Sequence, residues 1–343
     1  MQRLDNSVYV MSQMAHLHLE GEQIRIEIEG VKRRLPLHHV DNIVVFGDVF
    51  IKPALIRKCG ENRIPISWFS RNGRFKGRLG LPIDSHYRLR ESQYLFGQSE
   101  TEKLEVAKQI IQAKTENSRQ VLLRGARNAK DTHDASILRR AGEKIQVHQK
   151  QILWASDRDQ LLGVEGVCAK EYFSVFKYLV APGKRKDFPF DGRHKRPPRG
   201  KLNAGLSFLY TVAGGDCASA LEHVGLDPSC GVFHEYRAGR RSLSLDLLEE
   251  FRAVLVDRLV LSLVNLGTLG EAHFEERVGG ATMLNDVGRR IVLKCYQEKK
   301  QQKIKHPQLQ QEISWGLFPI VQARLLAKVI QKDSERYAAF VAK

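Results

Sequence analysis

Apolar positions in the first part of the chain recur with a period of two. In the clearest example, one run of alternating apolar residues precedes the turn-like Glu20-Gly21-Glu22 and a second run follows it. The alternating positions are Leu17, Leu19, Ile24, Ile26 and Ile28. This period predicts half-buried strands. Further strands are expected over residues 43–46 and 64–69, and Asn72-Gly73 predicts a hairpin turn into residues 75–79.

A short helix interrupts these strands, because Pro53 suits a first helical turn and Gly60 suits a helix end. Beyond about Asp84 the pattern becomes that of long helices. Ser99 to Glu102 match a capping box ahead of a run to about Leu123, and a second run extends from about Ala135 to Trp154.

The chain has 343 residues, enough for two domains, since single hydrophobic cores usually stop growing at about 250 to 300 residues. We predict an α+β fold with a β-rich domain over residues 1–83 and a larger all-helical domain over residues 84–343. The main interruption of the helical part is residues 181–201, where prolines and glycines alternate with lysines and arginines. This segment is predicted to be a basic loop, either a DNA contact or solvated and disordered.

The charge of the chain favours a polyanionic partner. Its 55 Lys and Arg residues outnumber 39 Asp and Glu residues, which gives a net charge of +16. Such a field steers and holds nucleic acid, the first candidate. An anionic membrane surface is the second, and the sequence offers no basic amphipathic helix to support it.

Other sequence features favour a cytoplasmic protein. No run of about 18 uncharged apolar residues is present to span a membrane. The first residues lack the pattern of a secretory signal. The five cysteines are widely spaced and form no C-x-x-C pair, so we expect buried, reduced thiols.

Candidate chemistry lies in residues 231–252, GVFHEYRAGRRSLSLDLLEEFR. His234 precedes a predicted helix start at Ser242, and Asp246 and Glu249 share one face of that helix because they are three residues apart. Two interpretations remain open for this stretch. It is either a solvated acidic face balanced by arginines or part of a metal site.

A second candidate is Glu165, which the helical period places among apolar residues of the segment 161–176. A buried carboxylate needs a cation, so either an arginine or a metal ion must pair with it. Gly163 and Gly166 on the same helix predict a close approach of another backbone. Two carboxylates and an imidazole suit Mg²⁺ or Mn²⁺, and the imidazole favours manganese.

Several longer motifs resemble one known family. They are NSVYV, LPLHHVDNIVVFGDVFIKPALIRKC and IPISWFSRNGRFKGRL near the N-terminus, VEGVCAKEYF (164–173), RPPRGKLNAGLSFLYT (196–211), GLDPSCGVFHEYRAGRRSLSLDLLEEFR (225–252) and HPQLQQEISWGLFPIVQARLLAKVI (306–330). In this order they resemble the CRISPR-associated spacer-integration endonucleases, the Cas-one family. The last motif is similar to the subgroup that accompanies type I-C systems.

The resemblance implies a sandwich-like N-terminal β-domain that dimerises, followed by a helical catalytic domain. It implies that Glu165, His234 and Glu249 are metal ligands and catalytic residues, with Asp246 in a supporting role. The third ligand is Asp in some members and Glu here, which keeps an oxygen ligand and lengthens its reach. Arg252 matches a basic position suited to a phosphate contact.

The resemblance also implies partners and a reaction. A homodimer would act with a small second adaptation protein, Cas-two, to insert short double-stranded DNA fragments into a repeat array. The basic residues expected to contact DNA are Arg237, Arg240, Arg241, Arg252, Lys195, Arg196 and Arg199. A general metal-dependent nuclease acting on branched or single-stranded DNA and a non-catalytic DNA-binding scaffold remain as alternatives.

Overall fold

The computed structural model describes residues 7–28, 30–70, 75–79, 87–195 and 197–342. Its N-terminal part, residues 7–79, consists mainly of strands. These are β1 (Ser7–Val10), β2 (His16–Glu20), β3 (Gln23–Ile28), β4 (Val31–Pro36), β5 (Asn42–Phe46), β6 (Phe50–Ile51), β7 (Ile66–Phe69) and β8 (Phe75–Leu79). The predicted short helix is present as α1 (Pro53–Glu61). The β-rich character of this part is therefore confirmed.

The strands form two four-stranded sheets. In the first sheet, ordered β1-β5-β7-β8, the first three strands are parallel and β8 is antiparallel to β7. In the second, ordered β4-β3-β2-β6, the turn after β2 brings Leu19 opposite Ile24. Gly21 has a φ of +59°, which a glycine adopts without steric penalty. The predicted Asn72-Gly73 turn lies outside the described residues, and the strands on either side of it pair as predicted.

Strand β5 is buried on both faces, which explains its continuous apolar sequence. Ile43 and Val45 point into the core between the two sheets, together with Leu17 and Ile24 of the second sheet. The alternate residues of β5 belong to the core of the helical part. The ring centroid of Phe46 lies 5.9 Å from that of Phe208. The two sheets thus form a sandwich that packs against the helices through one face.

The C-terminal part, from residue 87 onward, is dominated by helices. They are α2 (Tyr87–Gln98), α3 (Glu100–Asn128), α4 (Thr132–Gln149), α5 (Arg158–Ser174), α6 (Lys201–Val224), α7 (Ser242–Glu249), α8 (Arg258–Asn265), α9 (Asp286–Gln301) and α10 (Phe318–Ile330). Ser99 caps α3 by accepting a hydrogen bond from the Glu102 amide, as predicted. The predicted domain boundary after residue 83 falls within residues 80–86, outside the described residues.

The helical part also contains two short antiparallel hairpins that the sequence analysis missed. They are β9 (Phe274–Arg277) with β10 (Ala281–Leu284), and β11 (Lys303–Lys305) with β12 (Glu312–Ser314). Strands of three or four residues contain too few positions to establish a period of two. The C-terminal part is therefore mainly helical, as predicted, and contains two short hairpins in addition.

The helical period places Leu162 on the same apolar face of α5 as Glu165, and the glycines predict a close backbone; the structure differs in both respects. Its buried face contains Leu161, Cys168 and Tyr172, whereas Leu162 is 43% exposed. A Cβ atom built on Gly163 or Gly166 would meet no neighbouring atom within 4 Å among the residues that the structure describes. The predicted close approach of another backbone at these glycines is therefore wrong. Glu165 nevertheless faces inward, with a side chain that is 17% exposed.

The basic segment 181–201 is irregular, as predicted, apart from one turn of 3₁₀ helix at Pro182–Lys184. It is held in place by Phe188 and Phe190, which are buried. Arg193 donates hydrogen bonds to Asn203 and Ser207 of α6. Among the described residues, none of the helices combines the length and apolar character needed to cross a bilayer.

Candidate metal and DNA site

Two of the candidate ligands, Glu165 and Glu249, line one pocket, and the third, His234, lies beside Glu249. Helix α5, capped by the Asp157 side chain, presents Glu165. Helix α7 presents Glu249 at its C-terminal end, and the loop before α7 carries His234. Helix α3 packs against both α5 and α7 and forms the wall opposite them. Residues far apart in sequence therefore converge because α3 provides a common surface for α5 and α7.

Lys114 of α3 joins the two glutamates. Its Nζ lies 2.5 Å from Glu165 Oε1 and 2.7 Å from Glu249 Oε2. The Lys114 ammonium therefore bridges the two carboxylates. The sequence analysis missed this lysine, although its spacing from Ile110 and Val121 places it on the apolar side of α3. A charged residue on the apolar side of a helix indicates a buried ion pair, and this feature could have drawn attention to Lys114.

His234 is oriented by Asp246, which is fully buried. The Nδ1 of His234 lies 2.6 Å from Asp246 Oδ1, and its Nε2 lies 3.9 Å from Glu249 Oε1. Asp246 also accepts hydrogen bonds from the backbone amides of Val232, Phe233 and His234. A carboxylate on one ring nitrogen leaves the other nitrogen available as a ligand. Asp246 and Glu249, which the sequence places together on one face of α7, therefore have different positions and partners.

The turn that carries His234 requires a glycine at its start. A Cβ atom on Gly231 would lie 2.4 Å from the His234 carbonyl oxygen and 2.5 Å from the Ser242 Cβ. The first of these is a backbone atom, which a side-chain rotation cannot relieve. Gly231 thus permits the tight loop that brings the histidine back over the start of α7.

Glu249 lies in a strongly positive environment. Burial alone would raise its pKa, but Arg252, Lys114 and His234 outweigh this effect and lower the pKa to about 2. The Nε of Arg252 is 2.9 Å from Glu249 Oε2. Glu249 is therefore ionised across the neutral pH range and is available as an anionic ligand.

A π-helical segment, Arg252–Asp257, follows α7 after the two turn residues Glu250 and Phe251. Such segments are rare and often occur at functional sites. Here it places the Arg252 guanidinium 4.5 Å from the centroid of the Tyr210 ring. Asp257 accepts hydrogen bonds from the hydroxyls of Tyr210 and Tyr172. Burial raises the pKa of Asp257 to about 6, although both tyrosines act in the opposite direction.

The predicted DNA contacts occupy different environments. Lys195 and Arg252 line the pocket, and Arg193, which the sequence analysis did not select, lines it as well. Burial lowers the pKa of Lys195, and repulsion from Arg252 and Lys114 adds to this effect. Arg199 is exposed near the start of α6. Arg196 lies outside the described residues.

The remaining three arginines lie on the loop that follows His234. Arg237 is exposed, and its carbonyl oxygen accepts a hydrogen bond from the half-buried Arg240. Arg241 lies beside Arg78 and Glu222, where β8 meets α6. Burial lowers the pKa of Arg241 to about 10, Arg78 adds to this effect, and Glu222 opposes it. Arg241 therefore lies at the junction between the β-sandwich and the helices.

A second group of potential ligands lies at the start of α4. Atoms of Asp131, His133 and Asp134 approach within 4.8 Å of one another. Asp131 is the N-cap of the helix and accepts a hydrogen bond from the His133 amide. Asp134 forms an ion pair with Arg185. These contacts are those of a capped helix terminus with a neutralised carboxylate, so this group is a weaker metal candidate.

Glu165 and Glu249 line the pocket, and His234 lies beside Glu249. The ligand atoms of these three residues do not all lie within 4.8 Å of one another, unlike those of the group at α4, but their chemistry suits a divalent cation. Carboxylate oxygens and an imidazole nitrogen form a donor set for Mg²⁺ or Mn²⁺. The position of the Lys114 ammonium shows that a positive charge is stabilised between the two carboxylates. Asp246 fixes the histidine in the manner typical of histidine ligands.

Comparisons with known proteins agree with the fold and identify the family. The family described as CRISPR associated protein Cas1 matches residues 8–298. A CRISPR-associated endonuclease Cas1 from Moorella thermoacetica is 39% identical over 337 residues, covering 98% of each chain.

Solved structures share the same architecture. A CAS1 protein from Thermotoga maritima superposes with a TM-score of 0.78 and 27% identity, covering 95% of this chain and 96% of the other. A casposase bound to integration product shares the fold at 20% identity, with a TM-score of 0.83 and coverage of 98% and 94%. The predicted I-C subgroup remains a prediction. By its sequence and its fold, the chain belongs to the CRISPR associated protein Cas1 family.

Proposed function

We propose that the chain is a metal-dependent DNA endonuclease and integrase of CRISPR adaptation. In this reaction the 3′-hydroxyl of a short DNA fragment attacks a phosphodiester at a repeat boundary. A bond forms between that 3′-oxygen and the phosphorus, and the bond to the 3′-oxygen of the repeat strand breaks. The attacking hydroxyl gives up its proton and the departing oxygen takes one up, so that no net proton is released and no water is consumed.

The meeting of Glu165 and Glu249 at Lys114, with His234 Nε2 3.9 Å from Glu249 Oε1, carries this proposal. A Mg²⁺ or Mn²⁺ ion held by these residues supplies a Lewis acid that neutralises charge on the scissile phosphate. Asp246 keeps the imidazole in the required orientation. A DNA-binding scaffold needs positive charge and has no use for buried, converging carboxylates, which is why we favour an enzyme.

Basic residues around the pocket would position the DNA backbone. Lys195 and Arg193 line the pocket, and Arg252 lies between Glu249 and Tyr210. Their charges suit contacts to phosphate oxygens, which orient DNA without reading its sequence. The proposed DNA-binding surface also includes Arg196 and Arg199 of the basic segment 181–201. It further includes three residues of the loop after His234, which are Arg237, Arg240 and Arg241.

Product analysis tests the proposed reaction against simple nuclease action. A DNA fragment with 3′-hydroxyl ends is incubated with Mn²⁺ and a plasmid that carries the leader and repeat array of the source genome. We expect branched products in which fragment and plasmid strands are covalently joined. A fragment with 3′-dideoxy ends is the matched control and should give none. Shortened strands without joined products would favour the general nuclease.

We also propose a homodimer that works with the small adaptation protein Cas-two. The N-terminal sandwich provides apolar surface for such an interface, since Val31 of β4 and Phe50 of β6 are 60% and 49% exposed on the edge strands of one sheet. Edge strands of small sheets are often covered by a second subunit. Light scattering should give twice the mass of the chain, and a monomer at every concentration would contradict the dimer.

A further inference from the structure

The Lys114 ammonium lies between two of the proposed ligands and contacts one carboxylate oxygen of each. Its Nζ contacts Glu165 Oε1 at 2.5 Å and Glu249 Oε2 at 2.7 Å. Mg²⁺ binds carboxylate oxygens at about 2.0 to 2.1 Å. An ammonium and a metal ion cannot both bridge the same pair of oxygens at such distances.

The charge of the site gives Lys114 a role when no ion is bound. Glu249 is 4% exposed and Glu165 is 17% exposed, so water screens their mutual repulsion poorly. Arg252 neutralises part of this charge at Glu249, through Oε2. Lys114 is the described cation that contacts both glutamates. Its ammonium thus holds the two carboxylates together in the protein alone.

The position of Lys114 also allows its ammonium to give way to another cation. The lysine is attached through a flexible four-carbon chain, and its side chain is 18% exposed at the wall of the pocket. Movement of Nζ within the pocket needs only rotations about its own side-chain bonds. By contrast, Asp246 is fully buried and accepts hydrogen bonds from three backbone amides, so His234, which Asp246 holds, is not free to move in the same way.

We propose that Lys114 is an exchangeable internal cation, which holds Glu165 and Glu249 in the metal-free protein and withdraws when a divalent ion binds. This inference rests on the metal site of the proposed function. Lys114 is thereby a positioning residue, and its ammonium lowers the affinity of the site because an ion that binds the same carboxylate oxygens must displace it.

The test measures Mn²⁺ affinity by isothermal titration calorimetry on the full chain without DNA. Lys114→Met removes the competing charge and should tighten Mn²⁺ binding by about tenfold or more, since close like charges interact strongly in a poorly solvated pocket. In chelator, the same variant should unfold at a lower temperature than the wild type, and Mn²⁺ should restore most of that loss. A residue with a purely structural role would lower stability without tightening Mn²⁺ binding.

Two further variants complete the test. Lys114→Arg keeps the charge and binds carboxylates through several N–H groups, so it should weaken Mn²⁺ binding. Lys108→Met is the matched control, because Lys108 lies on the same helix and pairs with Glu105 alone among the described contacts. Its Mn²⁺ affinity should equal that of the wild type.

Distinct outcomes separate the inference from the metal site. Equal or weaker Mn²⁺ binding by Lys114→Met would overturn the exchange while leaving the site in place. If that variant does not fold, unchanged or tighter binding by Lys114→Arg would overturn the exchange instead. Failure of Mn²⁺ to bind the wild type and every variant would overturn both the exchange and the proposed site.

Discussion

Replacement of His234 or Glu165 by alanine should reduce strand joining in Mn²⁺ by at least about a hundredfold, because each change removes one of three proposed donors to a single ion. The expected loss follows from the geometry. Glu165 and Glu249 are bridged by one positive charge, and His234 Nε2 lies 3.9 Å from the second glutamate. The measurement is the initial rate of formation of joined products from a 3′-hydroxyl fragment.

Matched controls separate this site from its surroundings. Glu171 lies on the same helix as Glu165 and pairs with the exposed Lys144. His133 belongs to the second group of potential ligands at the start of α4. Glu171→Ala and His133→Ala should join strands at nearly the wild-type rate. A large loss in His133→Ala with normal joining by His234→Ala would move the metal site to α4.

Asp246→Ala should destabilise the fold and impair joining at the same time. It leaves three buried backbone amides and the Nδ1 of His234 without their acceptor. Each buried donor without a partner costs about 1 to 3 kcal/mol, so we expect the free energy of unfolding to fall by about 3 kcal/mol or more. Denaturation in urea measures this loss.

The catalytic consequence of Asp246→Ala is measured below the unfolding temperature of the variant. Joining should fall by about tenfold to a hundredfold, the range seen when a group that orients a metal ligand is removed. Asp159→Ala is a suitable control, since Asp159 is 87% exposed on α5. Normal unfolding and normal joining in Asp246→Ala would contradict its role as the support of His234.

The local patterns of the chain were sufficient to predict many of its elements. The alternation around Gly21 predicted β2 and β3, and Ser99 predicted the start of α3. The start of α7 at Ser242 also agrees with the sequence, so Asp246 and Glu249 lie on one helix as expected. These features depend on short-range periodicity and capping, which a single sequence displays.

Other features depend on contacts between distant segments. The parallel pairing of β1, β5 and β7 has no local signal, because each pair is joined by a long connection. The π-helical turn at Arg252–Asp257 is likewise absent from any simple period. Gly163 and Gly166 resembled packing glycines in sequence, and the structure shows open space beside them.

The candidate site illustrates the same division. Glu165 could be selected because a carboxylate among apolar residues needs a cation, yet the sequence left that cation open between an arginine and a metal ion. The structure identifies the contacting cation as Lys114, a third possibility from a helix 51 residues earlier in the chain. The distinct role of Asp246 depends on a loop folding back over α7, which residue types alone do not reveal.

Anomalous scattering from a crystal soaked in Mn²⁺ tests the central claim most directly. We predict one peak between Glu165, His234 and Glu249, with the Lys114 ammonium moved away from both glutamates. A peak at Asp131, His133 and Asp134 with none between the three proposed ligands would contradict the account.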